Sequence, residues 1–336
     1  MNNEIQLTDA ELARRAAIVA GRAHNRVGIG IFLFILLPQV LATLAVLVAA
    51  FINPTVVENI YFVYGVQFVA LYLITTPLAL FVIGRPPVWV PAAPKTHAPP
   101  AFVLTVSCLL MSVSVAGSIF SNVLMTILGV LTGHFHENTT AELVTETPLW
   151  LILLLVVIIG PLCEELVFRR ALMNRLLPFG ELGAILVSGI TFGLMHGNMF
   201  QLFYTTGIGI LLAYIYAKTR NFLYPLFLHM GFNFIGSVLP MAYINLPFEE
   251  LVSNPLAFLS ENVFSLLVML LHLFLMYGGA LMGLILLSVF YNKIRFSPTL
   301  IPLRGSAQFS ARFCNAGMIL FFILGVGLLG LSLILT

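Results

Sequence analysis

Trp150 to Val167 reads WLILLLVVIIGPLCEELV and runs straight into Phe168, Arg169 and Arg170. The apolar part has the length and greasiness of a membrane-spanning helix. Its end carries two carboxylates side by side, Glu164 and Glu165. An ionisable group near the bilayer centre costs roughly 2.5–3.5 kcal/mol on insertion scales, so such groups face the protein interior and mark a pathway or a reaction centre.

The whole chain agrees with this reading. It has 336 residues, of which 60% are hydrophobic and only 8% charged. A soluble chain carries about 25% charged residues, so these charges cannot cover a water-exposed surface. The fold class is therefore all-α, a polytopic transmembrane helix bundle, with the lipid bilayer as its first partner. No basic patch exists outside short loops, which excludes nucleic-acid binding. The three cysteines, Cys108, Cys163 and Cys314, lie in apolar runs without a CxxC pair, so neither a disulfide framework nor a thiolate zinc site is expected. Cys163 abuts Glu164 but points about 100° away around the helix. It reads as a small packing residue.

Apolar segments recur at about 29–51, 60–83, 102–131, 149–176, 183–199, 202–217, 222–240, 262–292 and 315–335. At about 20 residues per crossing this gives eight or nine spans. The fifth and sixth are short and contain glycine. Lys and Arg favour the cytoplasmic loops. Arg14, Arg15, Arg22 and Arg26 place the N-terminus there, and Arg85, Lys95, Arg170, Arg175, Lys218, Arg220, Lys293, Arg295, Arg304 and Arg312 follow at alternate loops. Glu58, Glu137, Glu142, Glu146, Glu249, Glu250 and Glu261 mark the opposite side. This alternation fits nine spans and an outside C-terminus. The apolar run after the polar N-terminal stretch is long enough to span, so no cleavable signal peptide is expected.

Four domains follow. Residues 1–27 form a basic amphipathic helix, opened by a capping-box spacing at Thr8 and Glu11. Residues 28–100 hold two spans and a proline-rich connector, 101–293 a transmembrane core, and 294–336 a cytoplasmic loop and a last span. No internal repeat is evident, which disfavours a transporter.

Polar residues inside the core fall into a pattern. Glu165 and Arg169 are four apart and can pair on one helix face. Glu164 points elsewhere and can face a cavity; the alternative is a buried ion pair with a spare acid. Phe192 and His196 share a face, so the ring can pack beside the imidazole, and His196 taken alone fits an interhelical hydrogen bond. His229 and Asn233 aim the same way, either as function or as polar glue between helices. His272 has no polar neighbour at i+4 and reads as structural. Counted from the cytoplasmic side at about 1.5 Å per residue, Glu164, His196 and His229 lie at depths of about 16, 22 and 13 Å, so they can meet.

A carboxylate, two histidines and a carboxamide suit water activation. Burial raises a carboxyl pKa and a nearby cation lowers it, a balance that can poise a general base. An imidazole and a carboxamide can donate to an oxyanion, where one donor is worth about 2.7–4 kcal/mol. Peptide-bond cleavage is the concrete reading. Two histidines and a glutamate could also bind zinc, but no HExxH helix is present.

Glu-Glu-x-x-x-Arg at 164–169, Phe-x-x-x-His at 192–196 and His-x-x-x-Asn at 229–233 together resemble the CPBP family. This is the CAAX-protease and bacteriocin-processing group, related to the type II CAAX prenyl endopeptidases. The resemblance covers about 145–240. It implies a glutamate-dependent intramembrane endopeptidase that needs no metal or other cofactor. By the same resemblance Glu164 and His196 activate water, and His229 and Asn233 hold the oxyanion. Glu165 and Arg169 support the site. The expected partner is a peptide or protein substrate, with its lipidation left open. The expected location is a bacterial cytoplasmic membrane. A non-catalytic immunity or scaffold protein and a proton-coupled transporter are the alternatives.

Overall fold

The computed structural model describes residues 8–84, 94–138, 147–297, 301, 303 and 306–335. Arg85, Glu142, Glu146 and Arg304, used above for orientation, lie outside them. Among the described residues every regular element is helical. Eight of the helices among the described residues are long and apolar enough to cross a membrane. They are α1 (Asp9–Ile52), α2 (Ile60–Ile83), α3 (Pro100–Thr132) and α4 (Leu149–Phe179). After the short α5 (Glu181–Leu194) come α6 (Met199–Thr219), α7 (Leu223–Ala242) and α8 (Val263–Lys293), and then α9 (Ala316–Leu335). The expected fifth span is thus the 14-residue α5. At 1.5 Å per residue it reaches about 21 Å, short of a hydrocarbon core of about 30 Å.

The basic N-terminal segment and the first span form one 44-residue helix, about 66 Å long. Its start is the capping box that the sequence suggests. The Glu11 N–H donates to Thr8 Oγ1 at 3.3 Å, and the Thr8 N–H donates to the Glu11 carboxylate at 2.9 Å.

The chain divides into two compact units, and the boundary falls inside α4, between Glu165 and Leu166. The first unit holds α1, α2, the C-terminal part of α4, α5, the helix Ser306–Phe313 and most of α9. Glycine lets α1 and α9 touch backbone to backbone: a Cβ on Gly28 would sit 2.2 Å from the Gly317 carbonyl carbon. Close approach of this kind is the usual means of packing membrane helices. Asn25 Oδ1 accepts the Gly317 N–H at 2.7 Å, which satisfies a backbone donor at the start of α9. Arg312 packs over Gly183 and donates to the Phe179 carbonyl at 3.1 Å. Burial lowers the Arg312 guanidinium pKa from its ordinary value.

The second unit holds α3, the N-terminal part of α4, α6, α7 and α8. Leu110, Ile208 and Leu212 form a buried knot between α3 and α6. The two backbones close at Gly117, where a Cβ would stand 2.6 Å from Tyr204 Cα. Ser112 Oγ donates to the Ala280 carbonyl at 2.7 Å and ties α3 to α8. The segment before α3 straps the start of α7. The Thr96 N–H donates to the Thr219 carbonyl at 2.9 Å, and the Ala98 N–H to Tyr224 Oη at 3.0 Å. That strap fixes the end of α7 from which His229 and Asn233 project.

Candidate functional site

The carboxylates stand on an irregular helix. Within α4, Ile152–Ile159 is π-helical, Gly160–Glu165 is α-helical and Leu166–Met173 is π-helical again. Pro161 supplies a cause for the first widening. Its ring collides with the carbonyl four residues back, and it has no N–H to continue the ladder. Short π segments of this kind are frequent at functional sites.

Glu165 is fully buried and Glu164 about one-quarter exposed, at 24% of its side chain. His229, on α7 and 4% exposed, stands between them. Its Nδ1–H donates to Glu165 Oε1 at 3.0 Å, and its Nε2 faces Glu164 Oε2 at 3.8 Å. Adjacent residues on one helix therefore address opposite edges of a single imidazole. With Nδ1–H given to Glu165, His229 can offer Nε2–H only as an imidazolium, whose charge the buried Glu165 carboxylate offsets.

Asn233 shares the α7 face with His229, and its Nδ2 donates to the Val156 carbonyl at 2.8 Å. Glu164, Glu165, His229 and Asn233 thus gather within the second unit.

Arg169, Phe192 and His196 belong to the first unit. His196 lies just past α5, in the turn that Gly197 closes with φ +59°. Its Nδ1–H donates to the Phe192 carbonyl at 2.8 Å, which leaves Nε2 as the proton-accepting edge. The Phe192 ring meets the imidazole edge-on at 5.2 Å, as the spacing suggests. Phe168 and Phe34 continue this edge-to-face stack behind Phe192, at 5.2 and 6.3 Å. Arg169, fully buried, donates from Nη1 to Ser188 Oγ at 2.6 Å and lies 5.2 Å from the Phe192 ring centre.

Three partners escape a reading along single helices. Ser188 serves Arg169, and the Val156 carbonyl serves Asn233. His272 bonds through Nδ1 to the hydroxyl of Tyr243, 29 residues away. Among the described residues no group of three or more His, Cys, Asp or Glu side chains is arranged to hold a metal ion.

Residues 146–235 match a family model described as Type II CAAX prenyl endopeptidase Rce1-like. The matched stretch contains every candidate residue from Glu164 to Asn233. The chain is also 32% identical over 102 residues to a Bacillus subtilis (strain 168) protein named "Putative membrane peptidase YdiL". That match covers 30% of this chain and 42% of the relative, so the chain spans less than half of the relative's length. No solved structure matches. The family-model match spans the segment that carries the carboxylates.

Proposed function

We propose that the protein is an intramembrane endopeptidase of the CPBP type. Glu164 takes a proton from water as its oxygen attacks the scissile carbonyl, a role that the family resemblance gives it together with His196. The C–N bond then breaks, the leaving amine takes up the proton, and the new carboxylate keeps the water oxygen. His229 stabilises the oxyanion through Nε2–H, and Asn233 has a second amide hydrogen to add. Glu165 holds His229 in orientation, and the family resemblance gives Arg169 a supporting role. The substrate is a peptide or protein embedded in or anchored to the bilayer. The enzyme sits in a bacterial cytoplasmic membrane, with its N-terminus and the approach to the site on the cytoplasmic side.

One observation carries this reading: a buried imidazole held by one carboxylate while its other nitrogen faces a second, partly exposed one. A purely structural ion pair needs only one acid. Comparative N-terminal proteomics of membrane fractions, wild type against Glu164→Gln, tests it. New N-termini that depend on Glu164 support the proposal and name the substrate. Identical N-terminal sets from equally abundant proteins overturn it.

A further inference from the structure

The Asn233 amide makes a bond that an oxyanion donor does not need, and the backbone of α4 explains it. In the π-helical stretch Ile152–Ile159, the Gly160 N–H donates five residues back, to the Leu155 carbonyl. The next donor in that register would serve the Val156 carbonyl, but the residue there is Pro161, which has no N–H. Val156 is left without a backbone donor. A carbonyl in that state inside a bilayer is unfavourable unless a side chain serves it. Asn233 Nδ2, at 2.8 Å, serves it.

We infer that Asn233 is a positioning residue, whose amide replaces the N–H that Pro161 withholds from Val156 and so holds the Glu164-Glu165 turn against His229. Pro161 begins the short α-helical segment Gly160–Glu165 together with Gly160, so the register set at Val156 fixes the direction of both carboxylates. His229 and Asn233 are one turn apart on α7. One grips the turn at Glu165 and the other grips the widened backbone before it. The bond to Val156 stands on geometry alone; its consequence for catalysis rests on the peptidase reading.

Pro161→Ala restores a backbone N–H. In a π register that new N–H would serve Val156; in a re-formed α register the Gly160 N–H would. Either way Val156 no longer needs Asn233. A double-mutant cycle compares wild type, Asn233→Ala, Pro161→Ala and the double variant, purified in detergent micelles. The readouts are the unfolding temperature and the ¹⁵N signal of the His229 imidazole, assigned by its loss in His229→Gln. Asn233→Ala is expected to lower the unfolding temperature and displace the His229 signal. Pro161→Ala in the Asn233→Ala background is expected to recover most of both. Asn233→Ser, whose side chain is too short to reach, replaces Asn233→Ala if the latter fails to fold.

Additive effects in both readouts would overturn the inference. Recovered stability with a His229 signal still displaced would also overturn it, because Asn233 would then support the fold without aiming the site. Neither readout involves substrate, so the cycle stands apart from the proteomic test of Glu164. Failure of one does not imply failure of the other.

Discussion

His229 donates its Nδ1–H to Glu165 at 3.0 Å, and both residues are withdrawn from solvent. The second glutamate of the pair thereby gains a purpose distinct from the first. It fixes which edge of the imidazole turns toward Glu164.

Glu165→Gln keeps the shape of this contact but removes the charge. Hydrogen bonds to charged groups are worth about 1.5–3 kcal/mol, so cleavage is expected to slow roughly 10- to 100-fold. Glu165→Ala leaves a buried N–H without an acceptor and should also lower the unfolding temperature. Wild-type cleavage rates in Glu165→Gln would remove Glu165 from the site.

Ser188→Ala deprives the buried Arg169 Nη1 of its 2.6 Å partner. Leaving one such donor unsatisfied costs about 1–3 kcal/mol, and more for a charged group. Thermal unfolding in detergent is expected to show the loss, and an unchanged midpoint would contradict the role given to Ser188.

Gly117→Ala places a methyl 2.6 Å from Tyr204 Cα, against backbone that cannot swing aside. Overpacking of this kind costs about 1–3 kcal/mol. The substitution is expected to loosen the α3–α6 contact and reduce stability. The same change at Gly65 or Gly231, where a Cβ meets nothing within 4 Å, is expected to be tolerated.

Chelation offers a separate check on the chemistry. The His229 Nδ1 is engaged by Glu165, and no HExxH helix exists. EDTA and o-phenanthroline are expected to leave the rate unchanged. Loss of activity reversed by added zinc would replace the glutamate mechanism with a metal-dependent one.

Much of this is readable from the chain. Long apolar runs announce the spans, because a bilayer demands about 20 such residues per crossing. The helical repeat of 3.6 residues places Phe192 beside His196 and aligns His229 with Asn233. Contacts between helices are harder. His229, 64 residues from Glu165, grips its Oε1, a contact that no spacing along one helix announces. Tyr243 escapes notice as the partner of His272 for the same reason. Val156 is invisible because regular α geometry hides a π-helical carbonyl, although Pro161, three residues before Glu164, signals that some donor will be missing. At 183–199 apolar composition continues past the end of α5 at Leu194, so the run looks longer than its helix.

The most direct measurement reconstitutes wild type and Glu164→Gln in phospholipid vesicles with a peptide spanning a cleavage site found by the proteomic comparison. Under the proposed mechanism Glu164→Gln is expected to lower the cleavage rate by at least about 10²-fold, with unfolding temperature and oligomeric profile unchanged. Cleavage by Glu164→Gln at the wild-type rate would contradict the central claim.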